Sequence, residues 1–128
     1  MRPTMEIINV TAAVNRGYNP ATANNGGGYF QPSGTVTVQT ARGIATIDVD
    51  DTSCGDFGSR IAILVRAAGH DIMLRLGSME SDPDDVIDGC LEAIAEMTGE
   101  DPTALVDTAI DAVRGEAYRV WCNRVSRA

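Results

Sequence analysis

Residues 60–77 read RIAILVRAAGHDIMLRLG, and this stretch carries the clearest structural pattern in the chain. Apolar residues recur at every second position on both sides of Ala68-Gly69-His70, which is the periodicity of β-strands. A connection this short joins antiparallel strands, because a parallel crossover needs a dozen or more residues. The stretch therefore predicts an antiparallel hairpin. Its first half is apolar on both faces, as is typical of a central or doubly covered strand.

The residues before this hairpin predict further strands. Residues 35–40 and 44–50 alternate in the same way, and Ala41-Arg42-Gly43 supplies a turn between them, which predicts another hairpin. Residues 15–34 are rich in Gly, Asn and Pro with no period, and we expect a long loop there. Residues 5–14 predict one more strand, with these apolar side chains on one face: Ile8, Val10, Ala12 and Val14.

After residue 79 the apolar period changes from two to about 3.6, which predicts helices. Asp82-Pro83 favours a helix start and Gly99 favours its end. Asp101-Pro102 favours a second start close by, so the two helices should form an antiparallel hairpin. At Gly115 two continuations are open. The helix goes on, which we favour, or it ends and residues 116–125 form an edge strand.

Together these elements predict one α+β domain over residues 1–128. Residues 1–79 form an antiparallel sheet of four to five strands, including two hairpins and the long loop, and residues 80–128 form an acidic helical portion. The two C-terminal helices should pack on one face of the sheet, because runs of strands followed by runs of helices segregate in this way. A chain of 128 residues and 13.5 kDa has the usual size of one domain.

The negative charge of the protein is concentrated in the helical portion. The chain has 18 acidic and 10 basic residues and a formal net charge of −8, and every basic residue is Arg. Residues 80–111 contain eleven acidic and no basic residues, whereas residues 1–79 contain six of each. Surface helices usually relieve like-charge repulsion with interspersed Lys or Arg. The segment therefore predicts a surface for a basic partner, and the alternative is a solvated face that maintains solubility.

The residues expected to bind that partner lie on both helices and in the long loop. At 100° per residue, four acids of the first helix fall on one side, opposite its apolar side. The two aromatic residues of the loop either anchor a partner or hold the loop on the core. The predicted partner-binding residues are Asp85, Asp88, Glu92, Glu96, Glu100, Asp107, Asp111, Tyr29 and Phe30.

These features favour a non-enzymatic protein-binding module. A negative net charge opposes phosphate binding, so we expect no direct contact with nucleic acid. Size and charge fit an inhibitor that docks on a basic, nucleic-acid-handling surface of a larger protein, as a phage or mobile-element anti-defence protein of the anti-CRISPR kind would. The sequence predicts no signal segment and no membrane contact, and we expect a cytoplasmic protein, in the host cell if it is phage-encoded, with no cofactor and no metal.

Two other functions stay open at this stage. Cys54 and His70 both lie at strand connections, so a small thiol-dependent hydrolase that uses them as nucleophile and base is one alternative. A self-assembling structural subunit, such as a homodimer, is the other. Asp48, Asp50, Asp51 and Asp56 resemble a calcium loop, but the glycine and glutamate of that loop are missing. At most weak divalent binding is therefore expected, at Asp48, Asp50 and Asp51.

Overall fold

The computed structural model describes residues 5–14, 31–51, 60–77 and 84–126, which form a five-stranded antiparallel sheet followed by two helices. The predicted α+β fold is confirmed, and the sheet has five strands, the higher of the two predicted numbers. Neighbours in the sheet are neighbours in sequence, in the order β1-β2-β3-β4-β5. The elements are β1 Glu6–Val14, β2 Pro32–Thr40, β3 Gly43–Asp51, β4 Arg60–Ala67, β5 His70–Gly77, α1 Asp84–Thr98 and α2 Pro102–Ser126.

The hairpin over residues 60–77 forms as its sequence predicts. β4 and β5 stay in register up to the pair of Ala67 and His70, so only Ala68 and Gly69 lie between the strands. Both turn residues have positive φ, 53° for Ala68 and 79° for Gly69. Two positive φ values belong to a type I′ turn, whose twist matches the twist of the flanking strands.

A β-bulge in β1 overturns one detail of the predicted strand. The register with β2 shifts between Ile7 and Asn9, so Ile8 does not share a face with Val10 and Ala12. Ile8 is 54% exposed, whereas Val10 and Ala12 pack against the core. The expected alternation was wrong at Ile8 because a bulge adds one residue to one strand, and a local sequence period does not reveal it.

β2 is longer than predicted, because Pro32–Gly34, expected in the loop, belong to the strand. Pro32 is the first residue of β2, a position where proline is tolerated in sheets. Gly34 pairs with Ala12, and β1 passes so close that a Cβ at Gly34 would collide with the Thr11 carbonyl oxygen. Glycine is therefore required there by the close approach of the two backbones.

One face of the sheet carries the core. Val36, Ile47 and Val65 form a cross-strand row through β2, β3 and β4, and all three are fully buried. Burial of each such side chain contributes roughly 1.5–3 kcal/mol. The opposite face is open: Leu64 is half-buried, and Met73 beside it is 55% exposed. β4 is therefore a central strand but not a doubly covered one.

Both helices pack on the core face of the sheet, as predicted. α1 lies against β4 and β5, and α2 lies mainly against β1 and β2. α2 continues through Gly115, which confirms the helical alternative for residues 116–125. In the part of the chain that the structure describes, no helix combines the length and apolar character needed to cross a bilayer. Buried helical residues are Ile94, Leu105, Val106, Ala109, Ile110, Val113 and Ala117.

The connection between the helices is bonded to the β2–β3 turn. Gly99 ends α1 with a φ of 69°, and the Asp101 carboxylate caps α2 by accepting a hydrogen bond from the Thr103 N–H at 3.1 Å. The Arg42 N–H of the turn donates to the Thr98 carbonyl oxygen at 3.1 Å. α1 ends and α2 begins at this end of the sheet.

Candidate functional site

The exposed side of α1 carries two of the predicted partner-binding residues. Glu92 and Glu96 are exposed, whereas Ile94 between them is fully buried. A separation of four residues places the two carboxylates one helical turn apart on the same side. That side faces solvent because α1 buries its opposite, apolar side on β4 and β5.

The exposed side of α2 carries a second pair. Asp107 and Asp111 are exposed and again four residues apart, whereas Leu105, Ala109 and Val113 are fully buried on the sheet. The apolar period of α2 thus decides where the acids point, just as in α1.

The two acidic pairs face the same way. Both helices bury their inner sides on one face of the sheet, so their exposed sides point away from it together. Glu92, Glu96, Asp107 and Asp111 are named here the acidic helical surface. None of these four forms an ion pair with another residue that the structure describes. No basic residue occurs in the sequence between Glu92 and Asp111.

Glu100 differs from these four because its carboxylate is used within the fold. Its Oε2 accepts a hydrogen bond from the Ala41 N–H at 2.6 Å, and the residue is half-buried. The Glu100 N–H donates in turn to the Thr98 hydroxyl at 3.2 Å. Glu100 therefore joins the α1–α2 connection to the β2–β3 turn, while its predicted contact with a partner stays a prediction.

Four further residues of the predicted set are not placed at the side-chain level. Asp85 and Asp88 belong to α1, but their side chains lie outside the described part of the structure. Tyr29 and Phe30 lie outside the described residues altogether. Their expected contacts with a partner stay predictions.

The ion pairs of the described residues involve none of the four acids of the acidic helical surface. Each joins an arginine to an acid of the sheet or of the second half of α2. Asp51 is only 3% exposed, so its pair is the one in which a carboxylate is withdrawn from water. The pairs are Arg66 with Asp48 at 3.4 Å, Arg114 with Asp51 at 3.1 Å, and Arg119 with Glu116.

The residues considered for other chemistry do not converge in the described structure. Asp48 and Asp50 lie on the open face of β3, whereas Asp51 points to the helix side, because successive strand residues alternate. Within residues 5–14, 31–51, 60–77 and 84–126, no three His, Cys, Asp or Glu residues group as metal ligands would. His70 is exposed beside the β4–β5 turn, and Cys54 lies outside the described residues.

A groove that the sequence did not predict lies beside the acidic helical surface. It has a volume of about 660 Å³ and lies between the second half of α1, the start of β5 and the β2–β3 turn. Of its lining residues, only Glu96 was expected to contact a partner. The sequence gives no sign of the groove because its walls come from three separate segments. Its lining includes Arg42, His70, Asp71, Ile72, Glu96 and Met97.

Comparisons with known proteins were made at three levels. No family model matches the sequence, and neither a curated protein nor a solved structure matches the chain.

Proposed function

We propose that this protein is a non-enzymatic binding protein whose acidic helical surface docks on a basic surface of a larger protein. The observation that carries the proposal is the exposure of Glu92, Glu96, Asp107 and Asp111 on one side of the molecule, with no ion pair to any described residue. Carboxylates that the fold does not use are available to an external cation.

The arrangement favours steering and selectivity over raw affinity. Exposed charges attract an oppositely charged surface over about 10 Å at moderate salt, and they repel surfaces of like sign. Within α1, the repulsion between Glu92 and Glu96 costs the helix roughly 0.2–0.5 kcal/mol. A partner that supplies Arg or Lys between the two carboxylates removes that cost. Docking thus relieves a repulsion that the isolated protein carries.

The chemistry of such a partner suggests a biological setting. Basic surfaces that hold phosphates are common on nucleic-acid-handling proteins, and an acidic protein can occupy such a surface without binding nucleic acid itself. A phage or mobile-element inhibitor of a host defence machine, of the anti-CRISPR kind, would act in this way in the host cytoplasm.

Charge reversal on the acidic helical surface tests the proposal. The double variant Glu92→Arg with Asp107→Arg should reduce partner recovery from the native host at least about tenfold, because like charges at an interface cost several kcal/mol. The matched control, Glu6→Arg with Asp50→Arg, makes the same charge change at exposed positions of the sheet. The control should recover the partner as the unaltered protein does.

Two further measurements make the result decisive. Circular dichroism melting of both double variants tests whether they remain folded. Raising the salt from about 0.05 M to about 0.5 M should weaken the complex of the unaltered protein, because exposed charge pairs are screened. Equal recovery of the partner with the two double variants would contradict the proposal. A complex whose stability does not depend on salt would also contradict it.

A further inference from the structure

The groove beside α1 runs along the start of β5, at the outer edge of the sheet among the described strands. Three consecutive residues of that strand line it: His70, Asp71 and Ile72. Successive side chains of a strand point to opposite faces of the sheet, so three consecutive side chains cannot all line a groove on one face. The groove therefore lies at the backbone edge of β5, which all three residues border. Among the described strands, none lies beyond β5 in the sheet.

The pairing of β4 and β5 shows which backbone groups face the groove. In a hairpin with a two-residue turn, the flanking pair, here Ala67 and His70, exchanges hydrogen bonds. The N–H and C=O of Asp71 and Met73 therefore point away from β4, to the outer edge. A contact from α1 agrees with this pattern, because the Cys90 thiol donates to the Met73 carbonyl oxygen at 3.7 Å. The groove thus contains the outward N–H and C=O of Asp71.

The walls of the groove combine an apolar strip with acidic groups. Ile72 and Met97 supply apolar surface, and Asp71 and Glu96 are exposed acids with no ion pair to any described residue. Arg42 also lines the groove, from the β2–β3 turn. Met97 offers apolar surface for the methylene stem of a long basic side chain, and Glu96 offers a carboxylate for its charged group.

We propose that an extended segment of the partner adds to β5 as a sixth strand and places an Arg or Lys side chain beside Glu96. Backbone hydrogen bonds to Asp71 hold such a segment, and the side-chain pocket selects a basic residue. The inference rests on the proposed function, since it names the part of the basic partner that occupies this groove. The groove volume of about 660 Å³ lies within the range of clefts that bind small ligands.

A peptide with alternating arginines tests the backbone contact. The probe is Ac-Thr-Arg-Val-Arg-Thr-NH2, added to the full ¹⁵N-labelled chain. We expect the amide signal of Asp71 to shift, because its N–H lies on the part of the β5 edge that borders the groove. Absence of a shift at Asp71 with this peptide would overturn the inference.

Two N-methylated peptides separate strand addition from simple charge attraction. An extended peptide has two edges, formed by alternate residues. N-methylation of the valine blocks one edge, and N-methylation of both arginines blocks the other, while charge is unchanged. Strand addition predicts that one of these two peptides loses binding and the other retains it. Equal binding of all three peptides would contradict strand addition, because charge attraction needs no backbone edge.

A pair of matched variants tests the basic side chain. Glu96→Gln should weaken binding of the unmethylated peptide about tenfold, because a charge-assisted hydrogen bond is lost. Glu6→Gln removes the same charge from an exposed position of β1, at the opposite edge of the sheet and outside the groove lining, and should change binding by no more than about twofold. Equal effects of the two substitutions would show that the peptide does not use Glu96.

The two proposals fail in distinguishable ways. If Glu92→Arg with Asp107→Arg abolishes partner recovery but the peptide leaves the Asp71 amide unshifted, only the groove inference is wrong. If the peptide binds at β5 but the double variant recovers the partner as well as its control does, the acidic helical surface is not the docking surface.

Discussion

Acidic side chains in two regions of this protein meet different surroundings. In the sheet and at the α1–α2 connection, Asp48, Asp51 and Glu100 each accept a hydrogen bond within the fold, from a threonine hydroxyl, an arginine and a backbone amide respectively. On the acidic helical surface, the four carboxylates are exposed and form no ion pair with described residues.

The difference teaches that the same residue type stabilises the protein in one region and not in the other. A carboxylate that satisfies an internal donor contributes to stability, and its removal leaves that donor without its partner. An exposed carboxylate with a like-charged neighbour one turn away slightly opposes folding. Substitutions in the two regions should therefore change stability in opposite directions, which makes the comparison testable.

The largest expected loss follows replacement of Asp51. Asp51→Ala should lower the free energy of unfolding by about 2 kcal/mol, because a buried charged hydrogen bond to Arg114 is lost. The loss stays below that of a fully buried ion pair, since the Arg114 side chain is 45% exposed and can be hydrated. Urea denaturation measures it. A decrease of less than about 0.5 kcal/mol in the free energy of unfolding would mean that the Asp51 carboxylate does not stabilise the fold.

A smaller loss is expected at the connection between the helices. Glu100→Ala should lower the free energy of unfolding by about 1 kcal/mol, because the exposed Ala41 N–H exchanges a carboxylate for water. Glu100→Gln keeps an acceptor oxygen and should cost about half as much. Thermal unfolding of both variants provides the measurement, and equal losses would mean that the bond to Ala41 is not the source of the effect.

On the acidic helical surface the expected sign reverses. Glu96→Gln should raise the free energy of unfolding by roughly 0.2–0.5 kcal/mol, because it removes the like-charge pair with Glu92. Glu92→Gln should raise it by about twice as much, because Asp88 and Glu96 both lie four residues from Glu92 in α1. The gain should shrink at high salt, where the repulsion is already screened. Urea denaturation at two salt concentrations checks this, and a loss of stability in either variant would contradict the comparison.

The smallest effect concerns the ion pair near the end of α2. The hydrogen bond from Arg119 lowers the pKa of Glu116 below its ordinary value. A lowered pKa means that the pair stabilises the fold above the unfolded-state pKa, and that this contribution is lost as the pH falls through the folded-state pKa. NMR titration of the Glu116 carboxyl should detect the shift. Arg119→Gln should return the pKa towards its ordinary value, and an unchanged pKa would exclude the pair as its cause.

Much of the fold could be predicted because its signals are local. The alternation around Ala68-Gly69 specified β4 and β5, and Asp101-Pro102 specified the start of α2. Ile8 was placed on the wrong side of β1 because a bulge depends on pairing with β2. The groove beside α1 was not predicted, because Arg42, from a turn distant in sequence, forms part of its wall.

The candidate site could be predicted only in part. The sequence indicated that Glu92 and Glu96 share one side of a helix, because a fixed rotation per residue determines this. It did not indicate that Asp107 and Asp111 face the same way, because that depends on both helices burying their inner sides on one face of the sheet. Nor did it separate Glu100 from these residues.

The sequence by itself determined the order of strands and helices, the helix boundaries at Gly99 and Asp101, and the concentration of negative charge between residues 80 and 111. Only the tertiary structure decided which carboxylates accept hydrogen bonds from other parts of the fold. Ala41 and Glu100 are 59 residues apart along the chain, yet a hydrogen bond of 2.6 Å joins them. Charge is a property of each residue, whereas a hydrogen bond needs two groups within about 3 Å, and only packing brings distant segments that close.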